Sequence, residues 1–218
     1  MNNNNNELKR PLNPQRPKVN SSDRYLTVHQ RTLFNDGWPI HAFDEPVEVV
    51  NGLWLSGIGF DDDLPIWCHK NGFTHVVNAA GSYARLSHYK TNPNDYNIKY
   101  IELDMDDTLD FELQPFLAKM YSFIYFALEK GKKILVHCIW GQSRSVSCVA
   151  YFIMTRWWIK YDASLAIIRN WRLCAKPNRN FEMQLRLIDI GRVGYAPSQI
   201  VPKIIEQGVK ENDERLLS

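Results

Sequence analysis

The sequence predicts an α/β domain in which helices flank a central, twisted and mostly parallel β-sheet. Short apolar runs closed by turn residues alternate along the middle of the chain with longer segments whose apolar residues recur at helical spacing. This alternation is typical of strand–helix–strand units. The 218 residues are 44% hydrophobic and 23% charged, which suits one globular domain with tails.

Four strands are predicted from the short apolar runs. They are GLWLSG around Trp54, THVVNAA at residues 74–80, IKYIEL at residues 98–103 and KKILVH at residues 132–137. The last run is apolar throughout its centre, which is expected of a strand covered on both faces.

Three helices are predicted between and after these strands. In PFLAKMYSFIYFALEKG, Pro115 suits a first helical turn and Gly131 suits the position just after a helix ends. SVSCVAYFIM, which begins at Ser145, the last residue of the polar stretch HCIWGQSRS, indicates a second, buried helix. Asp162 is expected to cap the N-terminus of a third helix, ASLAIIRNWRLCA.

The two ends of the chain differ in composition from its middle. Residues 1–24 are rich in Asn and then in Pro, so we expect a disordered tail there, followed by an N-terminal extension at residues 25–43. The α/β domain is predicted at residues 44–195, and residues 196–218 are expected to be a charged C-terminal tail.

The composition argues against several classes of function. A net charge of +2 creates no field that would select nucleic acid or a membrane surface. The four cysteines form no CxxC pair, and no signal-peptide core follows Met1. We therefore expect an intracellular protein of the cytoplasm, the nucleus or both. Cys68, Cys148 and Cys174 are expected to be buried structural residues.

The polar stretch HCIWGQSRS, residues 137–145, lies between the fourth strand and the helix after it. Domains of this class bind ligands at the carboxyl ends of parallel strands, and the free N–H groups of a helix start attract anions. Cys138, near a helix N-terminus and an arginine, is expected to be a reactive thiolate. Arg144 can hold two phosphate oxygens, and Gly141 lets the loop curl. The Cys-x₅-Arg spacing therefore indicates an anion site with a nucleophile at its base.

HCIWGQSRS resembles the His-Cys-x₅-Arg-Ser/Thr signature of cysteine-dependent protein phosphatases, and its GxSRS ending is similar to that of the dual specificity phosphatases. The segments GFTHVVNAA, YIELDMDDTLDFEL and KPNRNFEMQL are similar to segments of the small atypical members of that family. The resemblance covers most of the predicted domain. It implies the family's α/β fold, with a phosphate-binding loop between a strand and a helix.

The resemblance also implies a mechanism. Cys138 would attack phosphorus to form a phosphocysteine, Arg144 and the loop amides would hold the phosphate oxygens, and Ser145 would donate a hydrogen bond to the departing sulfur. His137 would brace the loop without transferring protons, and neither a metal nor another cofactor would be required. The substrate-binding residues implied in this way are Ile139, Trp140, Gly141, Gln142 and Ser143.

In this family an aspartate on a separate loop protonates the leaving group. Asp104, Asp106 and Asp107 compete for this role in LDMDDTLDFEL. In the family pattern the acid precedes a leucine by six positions, and Leu113 then selects Asp107. Asp106 stays the alternative acid, and Asp104 is expected to close the end of its strand.

The leading hypothesis is an active dual specificity phosphatase whose partners are protein substrates carrying phosphotyrosine, phosphoserine or phosphothreonine. The variable loop positions 139, 140, 142 and 143 are uncharged, which argues against a phosphoinositide, and no basic stripe indicates RNA. Two alternatives stay open: a phosphatase for one of those non-protein substrates, and a pseudophosphatase that binds phosphoproteins without turnover. Trp140 could pack on the domain or stack on a substrate ring.

Overall fold

The central sheet has five strands in the spatial order β1-β2-β5-β3-β4. The computed structural model describes residues 45–59 and 61–191, so the predictions for residues 1–24, 25–43 and 196–218 lie outside the described residues. β1 is antiparallel to β2, and every other neighbouring pair is parallel, which confirms the predicted α/β class. The strands are β1 (Val47–Val50), β2 (Leu53–Ser56), β3 (His75–Asn78), β4 (Lys99–Glu102) and β5 (Ile134–His137).

The parallel strands end together at one edge of the sheet. His137, the last residue of β5, is in register with Ser56 of β2 on one side and with Asn78 of β3 on the other. Asn78 in turn is in register with Glu102 of β4. The loops that follow β4 and β5 therefore leave the sheet at the same edge, which brings the predicted acid and the predicted nucleophile to one place.

Helices cover the sheet and supply much of the core. The helix after β5 is buried at every position from Ser145 to Thr155, as its apolar sequence predicts. The described residues form α1 (Leu64–Lys70), α2 (Gly81–His88), α3 (Gln114–Glu129), α4 (Arg144–Trp157), α5 (Tyr161–Arg169) and α6 (Arg179–Gly191). No helix among them is both long enough and apolar enough to span a membrane.

The predicted boundaries of α3 are confirmed. Pro115 lies in its first turn. Gly131 follows the C-cap Lys130 with φ +64°, and its N–H donates to the Leu128 carbonyl over 2.9 Å. Gly131 therefore ends the helix in the left-handed conformation that favours glycine.

The predicted boundaries of α5 are wrong at both ends. The helix begins at Tyr161 with Lys160 as its N-cap, and Asp162 lies inside the first turn, where its Oδ2 accepts a hydrogen bond of 2.9 Å from Arg186 of α6. The helix ends at Arg169 and does not continue to residue 175. It stops there because Arg172 turns into the interior and donates hydrogen bonds to the loop after β5.

Candidate active site

Cys138 lies at the base of the loop that follows β5. It is the first residue after the strand and is only 1% exposed. Ser145, from the first turn of α4, donates a hydrogen bond through its hydroxyl to Cys138 Sγ over 3.1 Å. The buried strand and the buried helix therefore hold the thiol and this hydroxyl together.

Residues 139–143, here called the anion loop, have every carbonyl oxygen tied to the surrounding structure. Three of these oxygens accept from backbone N–H groups and two accept from the side chain of Arg172. Within the described residues, the backbone N–H groups of residues 139 and 141–144 donate no hydrogen bond. Such a run of free N–H groups forms a concave anion site. The carbonyl partners are Ile58 N for Ile139 (3.2 Å), Arg172 Nη2 for Trp140 (3.2 Å), Arg172 Nε for Gly141 (2.6 Å), Lys176 N for Gln142 (2.9 Å) and Ser147 N for Ser143 (2.8 Å).

Arg144 is the first residue of α4 and reaches from the anion loop to the loop after β4. Its Nη1 donates to the Met105 carbonyl over 3.2 Å, and its Nε lies 3.9 Å from Asp107 Oδ2. Nε is buried and has no hydrogen-bond partner among the described residues. A buried guanidinium N–H without a partner is costly, so this donor favours an oxyanion bound beside it.

Asp107 is held over the anion loop by two hydrogen bonds to one of its oxygens. Asp107 Oδ1 accepts from the Ser143 hydroxyl over 2.6 Å and from Asn178 Nδ2 over 2.7 Å. The same Ser143 oxygen accepts from the backbone N–H of Asn178 over 2.9 Å. Oδ2 is thereby directed toward Arg144, and the side chain stays 33% exposed.

The other two aspartates in this segment are not brought to the anion loop by any described contact. Asp106 is exposed and makes no hydrogen bond or ion pair with another described residue. Asp104 lies against Gly81 at the start of α2, where a Cβ on that glycine would meet the Asp104 carboxylate. The geometry is that expected for Asp107 as the acid, and the assignment stays a prediction.

Residues 103–113, here called the aspartate loop, are also anchored to α6. The side-chain amides of Asn180 and Gln184 both donate to the Phe111 carbonyl over 2.7 Å, and Gln184 Oε1 accepts from the Leu113 N–H over 2.8 Å. No spacing or motif in the sequence predicts individual roles for Asn178, Asn180 or Gln184. The signal that was present is their occurrence in KPNRNFEMQL, one of the segments that carry the family resemblance.

His137 lies behind the anion loop, fully buried at the end of β5. Its Nε2 is 2.6 Å from the Tyr89 hydroxyl, and burial raises the pKa of Tyr89 well above 10, so this hydroxyl keeps its hydrogen. Burial lowers the pKa of His137 to about 3. A neutral imidazole bonded to a protonated phenol is the arrangement expected of a residue that braces the loop, and this role of His137 stays a prediction.

The remaining predicted substrate-binding residues differ in exposure. Ile139, Trp140 and Gln142 are half-buried, whereas Gly141 and Ser143 are buried. The Ser143 side chain is directed to Asp107, so only its backbone is available to a bound phosphate. The two interpretations of the Trp140 ring, packing or stacking on substrate, stay predictions.

The other three cysteines are expected to be structural and not reactive. Cys68, Cys148 and Cys174 are buried, as predicted, and form no disulfide bond among the described residues. Burial raises the pKa of the Cys68 and Cys148 thiols, which keeps both protonated and unreactive. In residues 45–59 and 61–191, no group of three His, Cys, Asp or Glu side chains could hold a metal ion.

A family model described as the dual specificity phosphatase catalytic domain matches residues 63–190, which is more than half of the chain. The chain belongs to the dual specificity phosphatase family. The family's fold and the predicted resemblance to its small atypical members are confirmed together. The match begins after β2, so the edge strand β1 and its neighbour β2 precede the matched region.

Several members of the family and their solved structures resemble this chain. Dual specificity protein phosphatase 22 of Xenopus laevis is 30% identical over 145 residues, which are 66% of this chain and 64% of that protein. The crystal structure of the human tyrosine phosphatase-like serine/threonine/tyrosine-interacting protein has a TM-score of 0.60 at 28% identity, over 68% of this chain and 98% of that one. The crystal structure of DUSP15 has a TM-score of 0.59 at 25% identity, over 78% of this chain and 97% of that one. The chain spans less than two thirds of the length of these curated relatives. It covers 64% of the Xenopus laevis protein and 54% of a tyrosine-protein phosphatase of Acanthamoeba polyphaga mimivirus.

Proposed function

We propose that this chain is a cysteine-dependent phosphatase that hydrolyses phosphate monoesters through a phosphocysteine intermediate. The observation that carries the proposal is that every carbonyl of the anion loop, the segment directly after Cys138, accepts a hydrogen bond from a group outside residues 139–143. This anchoring leaves N–H groups to face the phosphoryl group during transfer. Phosphoryl transfer depends mainly on positioning and charge stabilisation, which such a fixed set of donors supplies.

The proposed reaction has two steps that use the same residues. In the first, the Cys138 thiolate forms a bond to phosphorus, the ester P–O bond breaks, and Asp107 gives its proton to the leaving oxygen. In the second, water attacks phosphorus, Asp107 takes the proton of that water, and the S–P bond breaks. Arg144 holds two phosphoryl oxygens in both steps. The Ser145 hydroxyl, 3.1 Å from Sγ, stabilises the departing thiolate.

The first test is hydrolysis of p-nitrophenyl phosphate by the full chain. We expect vanadate-sensitive turnover that Cys138→Ser abolishes, because a serine hydroxyl is a far weaker nucleophile than a thiolate at neutral pH. Cys174→Ser is the matched control, since it makes the same substitution at a buried cysteine outside the anion loop. Unchanged turnover in Cys138→Ser would contradict the mechanism.

We propose that the substrates are proteins carrying phosphotyrosine, phosphoserine or phosphothreonine. The name of the Xenopus laevis relative supports dual specificity, and the uncharged side chains at residues 139, 140, 142 and 143 disfavour a polyanionic lipid head group. Turnover should be compared on phosphopeptides of all three kinds, on phosphoinositides and on RNA with a 5′-triphosphate. A kcat/KM that is highest for the RNA or for a phosphoinositide would replace the protein substrate with that class.

A binding function without turnover is the second candidate. One observation favours it: a structurally similar human protein is called tyrosine phosphatase-like and interacting. Cys138, Arg144, Ser145 and Asp107 are all present in this chain, which favours catalysis. Phosphopeptide binding by a wild-type chain that shows no vanadate-sensitive hydrolysis would establish the binding function instead.

We further propose that residues 44–195 form the catalytic domain, because β1 and β2 pair with the sheet although they precede the matched region.

We also propose an intracellular location, in the cytoplasm, the nucleus or both. None of the four cysteines, all of which are among the described residues, forms a disulfide bond, which suits a reducing compartment. Fractionation of cells that produce the tagged full chain tests the location, and recovery from the secreted fraction would contradict it.

A further inference from the structure

Arg172 is a buried arginine in the connection between α5 and α6, where the sequence pattern predicts a helix and no site residue. The residue is 2% exposed. Its Nε donates to the Gly141 carbonyl over 2.6 Å and its Nη2 to the Trp140 carbonyl over 3.2 Å. Its Nη1 donates to the Glu45 carbonyl over 2.9 Å. One planar group therefore links the centre of the anion loop to the segment that leads into β1.

Burying the charged Arg172 side chain costs free energy, which indicates that its hydrogen bonds have a specific role. Burying a guanidinium is unfavourable unless its donors are used. Its neighbours Trp171 and Leu173 are 55% and 59% exposed, so the backbone buries the charged residue and leaves two large apolar residues in solvent. Hydrophobic burial alone would favour the opposite arrangement.

Gly141 is shaped for this contact. It has φ +62°, and a Cβ at this position would meet the Arg172 guanidinium as well as the backbone of Ser56 and Gly57 at the end of β2. The centre of the anion loop is therefore enclosed between the sheet and Arg172, with no space for a side chain.

A peptide group is planar, so the direction of a carbonyl fixes the direction of the next N–H. The Trp140 carbonyl shares its plane with the N–H of Gly141, and the Gly141 carbonyl shares its plane with the N–H of Gln142. Arg172 holds both carbonyls directed toward its own side chain. The two following N–H groups are consequently directed away from Arg172.

We propose that Arg172 is a positioning residue that orients the N–H groups of Gly141 and Gln142 toward the phosphoryl oxygens. The inference rests on the proposed phosphatase function and names a determinant of oxyanion affinity within it. The other three anion-loop carbonyls accept from backbone N–H groups, so within the anion loop a substitution of Arg172 acts directly on the two central peptides.

The experiment measures the affinity for vanadate by protection of Cys138 against alkylation with iodoacetamide, which requires no turnover. Arg172→Met should weaken vanadate binding ~10- to 100-fold, because a small misplacement of binding groups has effects of that size. Arg172→Lys keeps the charge but cannot span both carbonyls, so the loss should be smaller and in the same direction. Arg169→Met is the control: Arg169 donates to the Ala175 carbonyl, which lies outside the anion loop.

Thermal unfolding of each variant identifies the folded samples. A folded Arg172→Met variant that binds vanadate like the wild type overturns the inference. Where Arg172→Met does not fold, wild-type vanadate affinity in the Arg172→Lys variant overturns it. A wild-type chain that binds vanadate without hydrolysing p-nitrophenyl phosphate overturns the proposed function and leaves the Arg172 inference standing. The two failures are therefore distinct.

Discussion

At the scale of single residues, Asp107 and Asp106 differ in the hydrogen bonds that their carboxylates make. Asp107 Oδ1 accepts from Ser143 and Asn178, and its Oδ2 faces Arg144, whereas Asp106 makes no hydrogen bond to a described residue. A general acid must lie within reach of the leaving oxygen, and only a side chain fixed over the anion loop meets that condition.

Asp107→Asn should therefore lower kcat on an aryl phosphate far more than Asp106→Asn. The expected loss for Asp107→Asn is about 10²- to 10⁴-fold, the size of a general-acid contribution. Phenyl phosphate in mildly acidic buffer is the substrate of choice, because its poor leaving group depends on the proton. Equal losses in the two variants would show that Asp107 is not the acid.

Asn178→Ala should reduce kcat by about 10-fold, since Asp107 would keep its bond to Ser143 and lose the one from Asn178. In an Asp107→Asn background the same substitution should have little further effect, because residues that act through one another are not additive. Phenyl phosphate kinetics on the four proteins of this cycle give the coupling. Full additivity of the two losses would contradict a positioning role for Asn178.

At the scale of elements, the sequence predicts the strands, loops and helices that are marked by a pattern in neighbouring residues. β5, the anion loop and α4 are predicted because a compact apolar run, a Cys-x₅-Arg spacing and a buried helix follow one another. α6 and the place of Arg172 could not be predicted in this way. Their polar side chains act on distant segments, as Gln184 does on Leu113 across 71 positions of the chain.

Gly141→Ala should disrupt the anion loop, and Gly131→Ala is its matched control. Both glycines have φ above +60°, but a Cβ at Gly131 would meet nothing within 4 Å. Each alanine should cost about 1–2 kcal/mol of stability from the left-handed backbone alone. Only Gly141→Ala should also lower kcat/KM, by at least ~10-fold, because Arg172 and the loop must move apart. Urea unfolding and aryl phosphate kinetics on both variants separate the effects, and equal activity in the two would contradict the enclosed loop.

At the scale of the whole molecule, two buried histidines link folding to pH. Burial lowers the pKa of His137 to about 3, and burial followed by the nearby charges of Lys99, Lys132 and Lys130 lowers the pKa of His75 to about 4. His75 begins β3 and His137 ends β5, so both belong to the core of the sheet. Both are neutral in the folded chain near neutral pH.

The free energy of unfolding should therefore fall as the pH drops below about 6.5, where unfolded histidine begins to bind a proton that the folded state refuses. The loss continues toward the folded pKa values, at no more than about 1.4 kcal/mol per pH unit for each histidine. His75→Gln should make this dependence shallower, and His69→Gln, which removes an exposed histidine of α1, should not. Urea unfolding across this range measures the slopes. An unchanged slope in His75→Gln would contradict the prediction.

One hydroxyl group has a consequence for protein engineering. The Ser143 oxygen donates to Asp107 and accepts from the N–H of Asn178, so it joins the anion loop, the aspartate loop and the start of α6 at one atom. Residues 137–145 grafted onto the parallel sheet of another protein would carry a thiol and a guanidinium, but no acid in register with them. The smallest transplantable unit of this site consists of three segments that are far apart in the chain.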